Sequence, residues 1–377
     1  MSNWNFHNPV RIHFGHGTIN DLPALIGLSR NLLITTPGST KRGTTDLIKD
    51  LLGNSLTTVF DEVESNPTFT SIEAALKKVR RYDFDNIIAL GGGSALDTAK
   101  AVAAIEASGN EDWFSYQSNR KIAYHDNYSP KPIIAIATTA GTGSEVTKWG
   151  TIWDMNAKVK HSIEHPLLYP EHAILDPDLT TTLPKYETTY CAFDAVSHAM
   201  EAIWNKNYNP ISDIYAVKAI SIIHEYLPQL INNLTNKTLR RHILQASLLA
   251  GLAFSNTKTG LAHSISYPIT AHFGLPHGLA CSLPLIPILK FNAIKSSDRI
   301  NIMAKAIKAD TTISSMEAEL TKLFEKSGIS LNLADYGIDE SQAGVICDQA
   351  YTPERADNNI SSINQDDIEN IVHSLFN

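Results

Sequence analysis

Cysteine is scarce in this chain of 377 residues: Cys191, Cys281 and Cys347 are the whole supply, far apart in sequence. That spacing excludes a disulfide framework and a CxxC zinc site, and it suits a reducing cytoplasm. Positive charge is short as well, with 31 Lys and Arg against 39 Asp and Glu and a formal charge of −8. No basic tract is present, which argues against a nucleic-acid or anionic-membrane surface and leaves small molecules as the expected partners. No run approaches the roughly 20 apolar residues that span a bilayer, so no membrane association is expected. Short-period repeats and low-complexity segments are missing too. Neither GxGxxG nor GxxxxGK[ST] occurs, so no standard nucleotide fingerprint can be claimed.

What is present suffices for two domains, with 43% hydrophobic residues to fill their cores. Through residue 182, short β-branched runs alternate with helical patterns: NLLITT (31–36), TTVFDEV (57–63), NIIALGG (86–92) and PIIAIATT (132–139). They predict a mostly parallel α/β sheet. From residue 183 to 377, beyond a hinge at TTTLP, strand signals nearly stop. Segments 210–232, 237–254, 298–308 and 315–326 carry apolar residues at helical spacing, which predicts an all-helical second domain.

Two loops stand out for chemistry. In NIIALGGGSALDTAK a buried strand runs through Gly91, Gly92 and Gly93 into a helix expected to begin near Ser94, with Asp97 completing a capping-box pattern. Glycines admit close ligand approach, and the free amides of a helix start favour an anion such as pyrophosphate; a tight structural turn is the plain alternative. TTAGTGSEVT (138–147) leaves another strand carrying Thr138, Thr139, Thr142 and Ser144, whose hydroxyls suit either a ligand or local turn capping. Both loops should open beyond the carboxyl ends of their strands, where α/β sheets bind ligands.

The helical half opens with TTYCAFDAVSHAMEAIW, whose apolar face accompanies Asp194, His198 and Glu201 at spacings of four and three. Asp194 and His198 by themselves suit a surface hydrogen-bonded pair. A second segment, LAHSISYPITAHFGLPHG (261–278), adds three histidines. One carboxylate with two or three imidazoles is a donor set for Fe(II) or Zn(II) that leaves positions open for a substrate oxygen.

Here the chain resembles the iron-containing, group III alcohol dehydrogenase family. ESNPT (64–68), GGGSALDTAK, TTAGTGSEVT and the pairing of DAVSH with LAHSISYPITAHFGLPHG carry the resemblance, in family order and across most of the chain. It implies a dehydroquinate synthase-like fold, with a Rossmann-like nicotinamide domain followed by a helical metal domain. It also implies metal ligands Asp194, His198, His263 and His277, with His272 outside the set. Asn66, Thr138, Thr139, Thr142 and Lys160 should line the cofactor groove, Gly91 to Ser94 and Asp97 should surround the pyrophosphate, and the protein should be a homodimer.

Two residues depart from the family pattern. Tyr267 stands four residues after His263, where many members carry a histidine facing the nicotinamide; a phenol can donate a proton but cannot relay one as imidazole does near neutrality. Thr36 stands where NAD-preferring members carry an aspartate for the ribose. With Lys41 and Arg42 beside it, NADP is expected at least as much as NAD. The implied activity is metal-assisted hydride transfer between NAD(P)H and a small aldehyde or alcohol, with His263 and Tyr267 at the reacting centre. Weaker similarity points to a phosphonoacetaldehyde reductase-like branch, with Lys148 or Lys206 attracting an anionic tail. The alternatives are a glycerol dehydrogenase-like polyol enzyme and a noncatalytic metal- or nucleotide-binding protein.

Overall fold

The computed structural model describes residues 3–118 and 128–376. The chain separates into two compact units: Asn8–Thr139 with Ser144–Thr182, and Leu183–Asn377 with Met1–His7 and Ala140–Gly143. A single cut after residue 182 therefore assigns two short pieces, 1–7 and 140–143, to the wrong unit.

The first unit is built on six parallel strands in the order β1-β8-β5-β4-β2-β3. These are β1 (Arg11–Phe14), β2 (Asn31–Thr35), β3 (Leu56–Phe60), β4 (Asn86–Gly91), β5 (Ile133–Ala137) and β8 (His172–Leu175). Their apolar runs are continuous because both faces are covered. Leu32, Ile34, Ile87, Ala89, Ile133 and Ala135 pack into one core with the Phe69–Val79 and Gly93–Ser108 helices. The alternate residues Leu33, Ile88, Leu90, Ile134 and Ile136 pack into a second core with Leu22, Ile26, Ile48 and Leu52. The order reverses between β2 and β4, and that switch point opens at the strands' carboxyl ends.

The four strands expected from the β-branched runs are β2, β3, β4 and β5. The edge strand β1, the strand β8 and an antiparallel hairpin of β6 (Trp149–Asp154) and β7 (Val159–Glu164) were not foreseen. The hairpin turn is local chemistry: Asp154 Oδ1 accepts from the amides of Asn156 and Ala157, and Lys158 takes a left-handed φ of 57°.

The second unit is helical among its described residues, with Lys185–Ile203, Pro210–Ile231 and Lys237–Thr257 packed on one another. Asn209 caps the second of these in a reciprocal box with Ser212. The buried Arg240 guanidinium donates to Thr188 Oγ1 and to the Leu183 carbonyl, tying the third helix to the start of the first. Leu261–Phe273, His277–Ser282 and Leu285–Asn301 follow. The helix expected at 298–308 does not form as such. Leu285–Asn301 is kinked at Ser296 (φ −144°), and only a short 3-10 turn, Ala304–Ile307, continues it.

The apolar stretch His277–Asn301 corrects the bilayer expectation, being long and apolar enough by composition alone to cross one. Its most apolar window is 61% buried within the protein, as a core helix requires.

Candidate metal centre and nucleotide-binding turns

The metal candidates all lie in the helical unit and are delivered by three helices. Asp194 and His198 share a face of Lys185–Ile203, His263 begins the Leu261–Phe273 helix, and His277 opens His277–Ser282. Close approach of the last helix needs Gly278, whose absent Cβ would run into the Tyr190 carbonyl and stand 3.1 Å from Asp194 Cβ. Ligand atoms of Asp194, His263, His277 and Cys281 lie within 4.8 Å of one another. His198 falls outside that tight group, yet its Nε2 is 3.7 Å from Asp194 Oδ1 and its ring stacks on His263 at 4.7 Å. His272 does not join the cluster; its Nε2 pairs with exposed Gln349 at 2.9 Å.

Each of two imidazoles is held from behind. Glu201, fully buried, receives His263 Nδ1 at 2.5 Å and the amides of Ala262 and His263 at 2.6 and 3.1 Å. His198 Nδ1 faces the Gly141 carbonyl at 3.3 Å, and Phe254 stacks on its ring. A proton placed on Nδ1 by an acceptor leaves Nε2 as the lone-pair nitrogen, the tautomer that a metal needs.

Electrostatics follow from burial. Desolvation pushes the His198 imidazole down, against the pull of Asp194, to about 4, which keeps it neutral. Desolvation also lowers His263, but Glu201 and Asp194 outweigh it and lift the ring to about 9. The Asp194 carboxyl is raised by burial and then held below its ordinary range by His198 and the other imidazoles. The Cys281 thiol, pushed well up by burial and by Asp194, stays protonated and donates to Asp194 Oδ1 at 3.3 Å.

These residues fit a divalent transition ion. His263 Nε2 is buried with no hydrogen-bond partner among the described residues, and it points towards Asp194 Oδ1 across 3.6 Å. The carboxylates that favour a proton on His263 equally favour a cation at that nitrogen.

The cofactor candidates of the sheet unit gather at the carboxyl ends of β2, β4 and β5. Gly91 has φ 153°, and a Cβ there would meet Ala95 Cβ at 2.7 Å, so glycine is required. The helix begins at Gly93 with Gly92 as an uncapped N-cap; the Ala95 amide turns back to the Gly92 carbonyl at 3.1 Å, which leaves the Gly93 and Ser94 amides without a partner within the helix. Thr138 donates its amide to the Gly91 carbonyl, and Thr139 lies against Gly92. Asn66, at φ 55°, donates its amide to Ser94 Oγ.

Three expectations at these turns change. Ser94 and Asp97 form no capping box, because the helix starts one residue early. Asp97 instead accepts from Ser144 Oγ at 2.6 Å and the Thr151 amide at 2.9 Å, bracing the hairpin rather than facing a ribose. Thr142 groups with the 140–143 piece of the helical unit. Thr36 caps its own short helix, accepting from the Ser39 amide at 3.1 Å, with Lys41 and Arg42 exposed beyond it. Lys160 stands over the Trp153 ring at 5.6 Å on β7.

Sequence inspection missed Lys100, whose fully buried ammonium donates to Ser144 O and Oγ, Thr147 Oγ1 and Trp149 O at 2.7 to 3.0 Å. It also missed Cys281, although its place one turn after His277 was a usable signal. Of the two lysines proposed for an anionic tail, Lys148 pairs with Glu164 at 3.0 Å, and Lys206 is exposed.

Comparison with known proteins decides the family. Residues 9–177 match the model for iron-containing alcohol dehydrogenase, and residues 188–376 match the C-terminal model of the Fe-containing alcohol dehydrogenase family. The chain belongs to the iron-containing alcohol dehydrogenases. It is 31% identical to 1,3-propanediol dehydrogenase of Klebsiella pneumoniae, covering 100% of this chain and 98% of the relative. NADPH-dependent butanol dehydrogenase of Clostridium saccharobutylicum is 29% identical over 98% of this chain and 97% of its own. Sulfoacetaldehyde reductase from Bifidobacterium kashiwanohense, solved in complex with NAD+, superimposes with a TM-score of 0.89 at 30% identity, covering 100% and 99% of the two chains. The protein is accordingly a metal-dependent, NAD(P)-linked oxidoreductase acting between alcohols and aldehydes, with iron as the family's metal. The noncatalytic alternative is set aside.

Proposed function

We propose that this dehydrogenase reduces short aliphatic aldehydes, of two or three carbons, at an Fe(II) held by Asp194, His198, His263 and His277. The observation that carries this reading is the orphan Nε2 of His263, with Glu201 clamped on the opposite ring nitrogen. When bound, the ion supplies Lewis-acid polarisation of the substrate oxygen. Glu201 fixes the tautomer and orientation of His263. Neutral His198 adds a donor without adding charge, and Cys281 steadies the Asp194 carboxylate through its thiol proton. Tyr267, one turn beyond His263 and with its ring 6.3 Å from that of His277, is the nearby hydroxyl able to donate to an oxygen that gains charge as hydride arrives. Burial of Asp194, His198, Glu201 and His263 strengthens each of these interactions, with His277 half-buried beside them.

For the cofactor, Gly91–Ser94 and the first-turn amides suit the pyrophosphate, with Thr138 and Thr139 beside them. Thr36 presents no carboxylate to a 2′-phosphate, and Lys41 with Arg42 favour one, so NADPH is used as readily as NADH. Thr36→Asp should shift preference towards NADH by about tenfold or more, by like-charge repulsion. The enzyme is further proposed to be a cytoplasmic homodimer, in keeping with three free thiols.

The test is nicotinamide absorbance at 340 nm with purified protein, Fe(II) and an aldehyde panel. Iron-dependent consumption with propanal supports the proposal; none with any aldehyde of up to four carbons would refute it.

A further inference from the structure

We propose that Cys281 is a metal ligand in its own right, so that the centre holds two overlapping donor sets, an inference that rests on the Fe(II) reading above. Asp194, His198, His263 and His277 hold Fe(II); Asp194, His263, His277 and Cys281 hold Zn(II), in a form closed to substrate. Cys281 belongs to the group of ligand atoms that lie within 4.8 Å of one another, whereas His198 does not. Cys281 Sγ stands 3.3 Å from Asp194 Oδ1, and His263 Nε2 stands 3.6 Å from the same oxygen. Donors that share one ion at zinc bond lengths of about 2.0 to 2.3 Å are roughly 3 to 3.7 Å apart, so both separations are those of co-ligands.

Local structure puts the sulfur there. Cys281 follows His277 by one turn of His277–Ser282, so one short helix delivers both donors to Asp194, and the cysteine is fully buried. His263 Nε2, buried and with no hydrogen-bond partner among the described residues, marks the same place as an ion site. The sulfur need not be unengaged. In the metal-free chain its proton lies towards Asp194 Oδ1, the Gly278 carbonyl is 3.5 Å away, and Ser197 favours the sulfur's anion. Binding exchanges that proton for the ion. The S–H bond breaks, its electron pair forms the sulfur–metal bond, and the proton passes to solvent with no change of oxidation state. Thiolate favours Zn(II) over Fe(II), which the mixed oxygen and nitrogen set accepts equally well. Four protein donors then complete a tetrahedron and leave no position for a substrate oxygen.

The experiment titrates full-length protein, stripped of metal and kept anaerobic, with Zn(II), Fe(II) and Co(II) against a chromophoric chelator. Wild type, Cys281→Ser and His198→Ala are compared. Serine keeps a hydroxyl that can donate to Asp194, so it separates support of the carboxylate from ligation. Wild type loaded with Co(II) should show a near-ultraviolet sulfur-to-cobalt charge-transfer band that Cys281→Ser lacks and His198→Ala keeps. Zn(II) affinity should fall about 10²-fold or more in Cys281→Ser and less than about fivefold in His198→Ala, with Fe(II) affinity showing the reverse. Zinc-loaded wild type should reduce propanal at less than about 1% of the iron-loaded rate. Absence of the sulfur band from wild type would overturn the thiolate ligand, as would equal falls in Zn(II) and Fe(II) affinity in Cys281→Ser. Zinc-loaded protein as active as iron-loaded protein would overturn the closed form. If iron-loaded protein reduces no aldehyde while the band and the zinc affinities behave as expected, the second donor set stands and the proposed reaction falls.

Discussion

Each unit buries a charged cluster, and the two clusters are completed differently. In the sheet unit, the chain supplies its own cation: the Lys100 ammonium sits near Asp97 and Glu145, with four oxygens around it. In the helical unit, Asp194 and Glu201 are acted on by imidazoles, and His263 Nε2, 3.6 Å from Asp194 Oδ1, has no hydrogen-bond partner among the described residues. A buried cluster that closes on itself is a structural device, whereas one left open at a lone-pair nitrogen is a binding site. The difference separates groups of similar burial by what they can still do.

The largest expected effect tests the open cluster. His263→Ala and His277→Ala should each remove most bound iron and lower turnover by at least about 10³-fold while the fold persists, as metal analysis with circular dichroism will show. His272→Ala, lying outside the cluster, should change neither. Full iron occupancy in either ligand variant would break the comparison.

Next comes the closed cluster. Lys100→Met leaves two carboxylates without their ammonium and should cost about 3–5 kcal/mol of stability in denaturant unfolding. Iron content per folded molecule should be unchanged, and a loss of iron larger than the loss of fold would show that the clusters are not separate devices. Glu201→Gln is a smaller perturbation of the open cluster, because the amide keeps its shape but offers weaker support to His263 Nδ1. Iron affinity should fall about 10- to 100-fold with little change in fold; an unchanged iron Kd would deny Glu201 its orienting role.

The smallest effect sharpens the comparison through pH. Burial raises the Glu145 carboxyl from an ordinary 4.5 to about 6, against the pull of Lys100. The folded protein holds that proton more tightly than the unfolded chain does. The contribution is therefore fully present below pH 4.5 and lost as pH rises through about 6, amounting to about 2 kcal/mol. Glu145→Gln should lack this loss, so its stability relative to wild type should rise between pH 4 and pH 7. A pH-independent difference would mean that Glu145 titrates normally.

Much of this was legible before folding. The period-2 and continuous apolar runs of 31–36, 86–92 and 132–139 can only be satisfied by strands covered on both faces, and β2, β4 and β5 lie there. The i,i+4 spacing of Asp194 and His198 places both on one helix face whatever the rest of the chain does, and Glu201 three residues on shares that face. Local signals failed where partners are distant. β1 and β8 pair across about 160 positions, and the register of so remote a pair leaves no mark in either short segment. The apparent Ser94 and Asp97 cap was out of step with the helix start, which falls at Gly93.

Helix periodicity, glycine-dependent turns and i,i+4 neighbours are set by the backbone within a few residues, so the chain itself carries the two-unit architecture, the Gly91 turn and the histidine-bearing helices. Which nitrogen of His263 is left open, whether Lys100 closes its cluster, that Cys281 donates to Asp194, and that Arg355 reaches Tyr267 across 88 positions are matters of side chains meeting from separate elements. Burial then converts those meetings into chemistry, because a charge or lone pair removed from water must find its partner in the tertiary structure or bind one from outside.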